Sequence, residues 1–199
     1  MKLATIRTGD TTTAARVIGK GRAVTLGAED VGKLLREGTF EEGEEITFTP
    51  SDLAPVIPRP GKIICVGLNY AKHIAEMGHE QPDVPTLFIK YPEALIGAYD
   101  DAEVPSFNAD TLDFEGELAV IVGTRARHAA NGAEHIAGYS VINDYTQRHF
   151  QKRTQQWHQG KSLEKTAGFG PWLDTEWQPG PAITTTVNGE VMQHAPTDD

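Results

Sequence analysis

The chain has 199 residues but a single cysteine, three methionines and three tryptophans. Cys65 alone excludes an internal disulfide and any cysteine-based zinc site. It lies in the apolar run Lys62-Ile63-Ile64-Cys65-Val66-Gly67, where nothing marks an activated thiolate, so it reads as a packing residue. No apolar run is long enough for a bilayer-spanning helix, and Met1-Lys2-Leu3-Ala4-Thr5 lacks a signal-peptide core, so a cytoplasmic protein with no membrane partner is expected. Basic residues are also scarce: 18 Lys and Arg stand against 28 Asp and Glu, a net charge of −10. That balance argues against nucleic acid as a partner, and an anionic substrate would need cations supplied locally. No His-Glu-x-x-His spacing occurs. Gly160-Lys161-Ser162 is not the tail of a phosphate loop, because Gln155 stands where the upstream glycine belongs.

What is present is an ordinary globular composition, 39% hydrophobic and 23% charged. Residues 1–55 read as a small β-rich region. Two short strands flank the glycine turn of Arg16–Leu26, and a helix over Ala28–Arg36 is stopped by Gly38. Four prolines between Pro50 and Pro60 disfavour helix and mark a candidate linker. Residues 56–199 follow a second pattern. Strands are expected at 63–67, 87–90, 118–122 and 138–144, short helices at 71–77 and 146–157, and a final hairpin turns at Asn188-Gly189. That hairpin leaves an open edge, so further sequence is expected beyond it.

Three groupings carry chemistry. Glu115 and Glu117 sit two apart at the mouth of an apolar strand, where alternate side chains share a face with Cα atoms roughly 7 Å apart. Like charges so placed repel, and a hard divalent cation between them would make the pair a site. Asp144 opens a polar stretch as a helix N-cap with Gln147, or as a ligand with Arg148 and Gln151 behind it on one helical face. His73 and Glu76, three apart on the expected helix 71–77, are either a surface pair or an imidazole oriented by a carboxylate. Lys161 is a candidate cation for an anionic substrate.

These residues and their surroundings resemble the fumarylacetoacetate hydrolase superfamily from about Pro58 to Asp199. The motifs are Arg59–Tyr70, Phe88-Ile89-Lys90 with Ala94-Leu95-Ile96-Gly97, Asp113-Phe114-Glu115-Gly116-Glu117-Leu118-Ala119, Asn143–Arg148 with Gln151, Gly160-Lys161-Ser162 and Gly170-Pro171-Trp172. The similarity is to the branch of bacterial acylpyruvate hydrolases and 2-hydroxyhepta-2,4-diene-1,7-dioate isomerases of aromatic catabolism. It implies an α+β, mostly β fold, a mixed β-roll, that forms homodimers. It implies Mg2+ or Mn2+ held by Glu115, Glu117 and Asp144, with His73 as general base oriented by Glu76, and Lys161 as a further catalytic group. Arg148, Gln151, Lys90 and Tyr70 would then contact a small anionic keto-acid substrate.

The implied reaction is hydrolysis of a C–C bond in a 2,4-dioxo acid through a metal-stabilised enolate. Decarboxylation, isomerisation or tautomerisation on the same site is the alternative, and an inactive binding or dimerisation module is a third. His149 and Lys165 depart from the usual residues at their positions. The family also continues for about 50–100 residues beyond Asp199, so the catalytic domain is expected to be incomplete.

Overall fold

The first strand, β1 (Lys2–Thr8), carries four consecutive buried residues from Leu3 to Ile6. Burial on both faces is the mark of a strand covered above and below, and it erases the alternation by which a half-exposed strand is recognised. A computed structural model describes residues 1–70, 82–104, 106–107 and 109–198. In it β1 is followed by β2 (Thr11–Gly19), β3 (Arg22–Thr25), helix α1 (Val31–Glu37) and β4 (Glu45–Thr47). Then come β5 (Ile64–Gly67), β6 (Thr86–Ile89), β7 (Leu95–Gly97), β8 (Leu112–Asp113), β9 (Gly116–Val122) and β10 (Ile136–Asn143). β11 (Thr146–Gln147), two one-turn helices, α2 (Arg148–Gln151) and α3 (His158–Lys161), β12 (Ala167–Asp174) and the hairpin β13 (Ala182–Val187) and β14 (Glu190–Pro196) complete the order.

Seven strands form one path, β4-β3-β2-β1-β12-β10-β9, antiparallel throughout, and β7 adds in parallel to β12. The pairing of β1 with β12 (Leu3 opposite Leu173) puts strands from both sides of the expected 55/56 boundary into one sheet. They also share a core: Leu3, Leu26 and Leu34 cluster with Ile121, Phe169 and Leu173. A second cluster of Ala4, Ile6, Ala15, Ala23 and Leu53 takes the alternate residues Ala4 and Ile6 from β1 and one residue each from β2 and β3. Thr5, buried in β1, is satisfied by donating to Val56 O at 2.7 Å and accepting from Val31 N at 3.1 Å. The fold is mostly β, as the sequence implied.

Three two-stranded ribbons, β5–β6, β8–β11 and β13–β14, surround the main sheet. In the last of these Asn188 and Gly189 take φ values of 52° and 85°, the left-handed pair a tight hairpin needs. The expected helix over 146–157 is corrected. Thr146 and Gln147 are wholly buried and pair with Asp113 and Leu112 of β8, so tertiary pairing overrides the local helical pattern. Only α2, four residues long, remains helical there, and α3 begins just beyond it at His158. The cap of α2 is Gln147, whose side chain accepts from His149 N, and Asp144 is freed from that role. The expected helix 71–77 lies outside the described residues.

Candidate active site

The Glu115 backbone is stapled to the end of β10. Asp144 N donates to Glu115 O at 2.8 Å, and Glu115 N donates to Asn143 Oδ1 at 3.0 Å. The antiparallel register Glu117 opposite Ile142 and Gly116 opposite Asn143 then brings residues about thirty apart in sequence to one end of the sheet. Gly116 N is held by Gln193 Oε1 at 3.0 Å, which seats β13–β14 against the same corner.

Onto these carboxylates the two short helices deliver cations. Lys161 Nζ lies 2.6 Å from Glu115 Oε2 and 2.8 Å from Asp144 Oδ2, with its side chain 2% exposed. Arg148 Nη1 lies 2.7 Å from Glu115 Oε1, while its Nε and Nη2 donate to Asp113 Oδ2 at 2.9 and 2.7 Å. Arg148 also donates to Gln151 Oε1 at 3.0 Å, so the two share a face as one helical turn requires. Lys161 reaches its place because α3 packs directly on α2. A Cβ on Gly160 would stand 2.6 Å from Gln151 N and 2.7 Å from Gln147 O, so no larger residue fits without displacing backbone.

Lys90, with no exposed side chain, forms an ion pair with Asp144 Oδ1 at 2.9 Å. Burial pulls its pKa down, and the Asp144 charge pushes it back up. Burial raises the Glu117 carboxyl to about 7, with Glu115 and Asp144 adding repulsion. Tyr70 is likewise raised by burial and by Glu117, beside which it sits.

The donor set suits a hard divalent cation: it is all oxygen, and the three carboxylates offer more lone pairs than their neighbours fill. Asp144 Oδ1 is buried and, among the described residues, is met by the Lys90 ammonium, and the repulsion felt by Glu117 is what a cation would relieve. The ammonium of Lys161 bridges two of the three expected ligands. Among the described residues no three carboxylate, imidazole or thiol groups stand as a finished coordination shell.

The structure thus gathers Glu115, Glu117, Asp144, Arg148, Gln151 and Lys161, with Tyr70 at the margin. Lys90 is enclosed, and its ammonium faces Asp144 and the carbonyls of Tyr145 and Lys161. His73 and Glu76 lie outside the described residues. The sequence assigned no role to Asp113, although it heads the Asp-Phe-Glu-Gly-Glu run and is the residue that holds Arg148.

Comparison with known proteins places this geometry. Residues 62–199 match the fumarylacetoacetate (FAA) hydrolase C-terminal family, and the chain belongs to it. It is 37% identical over 162 residues to the mitochondrial oxaloacetate tautomerase FAHD2A of Bos taurus, covering 77% of this chain and 50% of that protein. The fumarylacetoacetate hydrolase of the psychrophilic Exiguobacterium antarcticum superposes with a TM-score of 0.86 at 32% identity, covering 100% of this chain and 76% of that one. The 5-carboxymethyl-2-hydroxymuconate delta-isomerase of Mycobacterium smegmatis gives 0.83 at 28%, covering 100% and 76%. The chain spans about half the length of the tautomerase it matches. No helix among the described residues is long and apolar enough to cross a membrane.

Proposed function

We propose that the chain carries the site of a divalent-metal-dependent enzyme that moves a proton next to the carbonyl of a small anionic 2-oxo acid. The observation behind this is the convergence of Lys161, Arg148 and three carboxylates at one end of the β9–β10 pair. Glu115, Glu117 and Asp144 would hold Mg2+ or Mn2+, which when bound supplies a Lewis acid for the substrate's 2-oxo oxygen. Arg148, 30% exposed, is the cation a substrate carboxylate meets first, and exchanging one of its acidic partners for that carboxylate keeps the guanidinium paired. Lys161 beneath it places fixed positive charge where negative charge develops in an enolate. Gln151 orients the guanidinium from behind.

Such a site interconverts keto and enol forms without breaking a carbon–carbon bond, and the likeness to an oxaloacetate tautomerase and a delta-isomerase supports that reading. Hydrolysis of a 2,4-dioxo acid is the second reading. It is favoured by the likeness to a fumarylacetoacetate hydrolase and by His73 with Glu76 in the sequence, a base for activating water. The test is turnover of oxaloacetate enol and of acylpyruvates with and without Mg2+, beside Glu115→Ala. Ketonisation that persists in His73→Ala while acylpyruvate cleavage is absent supports the first reading. Cleavage lost in His73→Ala supports the second. Turnover that ignores both Mg2+ and Glu115→Ala sinks both.

A further inference from the structure

Lys90 follows β6 and is anchored through its backbone, which donates to Ile63 O at 3.3 Å. Its side chain is wholly buried, and the ammonium meets three groups supplied by separate parts of the chain. It lies 2.9 Å from Asp144 Oδ1, donates to Tyr145 O at 3.3 Å, and donates to the carbonyl of Lys161. The next residue repeats the tie, since Tyr91 N donates to Ser162 Oγ at 3.2 Å. Segment 90–91 therefore grips segment 161–162 twice while also facing the Asp144 carboxylate. A buried ammonium is costly, and a methionine of similar length would fill the same space without that cost. The charge has a purpose only if its acceptors need to be held together.

We propose that Lys90 is a positioning residue that locks the Asp144 carboxylate and the backbone of Lys161 into one arrangement. With Oδ1 faced by Lys90, Asp144 turns Oδ2 toward the site, where the Lys161 ammonium meets it at 2.8 Å. The same clamp fixes the root of the Lys161 side chain. Lys90 serves the site from behind, without touching substrate. This rests on the proposal above that Asp144 helps hold a divalent cation.

The sign of one measurement separates positioning from simple charge. Removing a positive charge beside a carboxylate cluster should, by Coulomb's law alone, tighten binding of a divalent cation. Losing the residue that orients a ligand should weaken it, by about tenfold or more. Mn2+ is titrated calorimetrically into the wild-type chain, Lys90→Met and Lys90→Gln, with circular dichroism to confirm the fold. The expected result is a loss of Mn2+ affinity of about tenfold or more in Lys90→Met and a smaller loss in Lys90→Gln, which keeps a donor for the two carbonyls. If Lys90→Met does not fold, any loss of affinity in Lys90→Gln carries the same meaning. Unchanged or tighter Mn2+ binding in a folded variant overturns the proposal, even if its melting temperature falls, because that would be a merely structural lysine. A wild-type chain that binds no Mn2+ overturns instead the functional reading on which the proposal rests.

Discussion

Lys161 and Asp144 are seventeen residues apart in sequence, and their charged groups meet at 2.8 Å with both side chains nearly sealed from solvent. Between them in the chain lie β11, the two turns of helix and Arg148, so the whole segment 145–160 is a loop closed by this contact. The ion pair thus does two things at once. It holds the cationic helices over the sheet end, and it neutralises a carboxylate that the main-chain staple to Glu115 has already fixed in place.

Removing the ammonium exposes what it offsets. In Lys161→Met, among the described residues, Asp144 keeps its ion pair with Lys90, and Glu115 keeps Arg148 and the hydrogen bond from Thr146 Oγ1. Breaking a buried pair from one side leaves an uncompensated charge and costs about 3 kcal/mol or more. Urea unfolding without divalent cations should show that loss. Added Mg2+ should recover part of it by binding the folded state alone. A variant as stable as the wild type would show that the contact carries no weight.

Glu117 supplies the pH dependence. Its carboxyl is raised to about 7, chiefly by burial. A group whose folded pKa exceeds its unfolded value favours the fold when protonated. Its stabilising contribution is complete below the ordinary carboxylate range near pH 4.5 and is lost as pH rises through about 7. The metal-free protein should therefore weaken across that window. Glu117→Gln, uncharged throughout, should be more stable than wild type at pH 8 by on the order of 1–3 kcal/mol. The same variant should lose the stabilisation that Mg2+ gives the wild type. Thermal melts at pH 5 and pH 8, with and without Mg2+, check both halves. A variant no more stable at pH 8 than at pH 5 relative to wild type contradicts the account.

What could be read from the sequence followed the range of the interactions. The hairpin at Asn188-Gly189 and helix α1 before Gly38 are set by neighbours in the chain, and both form close to where the residues point. The carboxylate motif was also legible, because Glu115 and Glu117 are two apart and apolar strand follows. β1 was hidden by burial on both faces. Residues 146–147 were misread as helix because their partner β8 lies over thirty residues upstream. Lys90 was marked by its motif, but its clamp was not: its acceptors Tyr145 and Lys161 are 55 and 71 residues away. Side chains that act through distant backbone carbonyls leave no spacing to detect.

Gly160 tests whether the helix contact sets the position of Lys161. An alanine Cβ would press on the backbone of Gln147 and Gln151, which cannot yield as a flexible side chain does. Gly160→Ala should cost about 1–3 kcal/mol of stability. It should also lower turnover more than that loss explains at a temperature where the variant is fully folded, because Lys161 and Arg148 move together. Gly168→Ala is the control, since its Cβ meets nothing closer than 3.8 Å. Equal effects from the two substitutions would mean that α2–α3 packing does not set the site.

Cys65 offers a probe of the ground beneath the site. It pairs across β5–β6 with Phe88, whose ring stacks edge-on with Trp157 at 5.5 Å. Burial pushes its thiol up to about 12, with the Asp144 charge adding to the rise and the two lysines opposing it. At pH 8 only about one molecule in 10,000 then carries the thiolate, the form that reacts, whereas an unfolded cysteine is substantially ionised. A disulfide reagent at pH 8 should label the native chain more than a hundredfold more slowly than the urea-unfolded chain. Because the thiol is the favoured form in the fold, alkaline pH above about 9 should destabilise the protein, with the thiol's contribution lost as pH climbs toward 12. Cys65→Ser, with a hydroxyl that stays neutral, should remove that part of the alkaline slope. Rapid native labelling at pH 8 would mean that the β5–β6 ribbon opens, and that the floor on which Lys90 stands is looser than its burial implies.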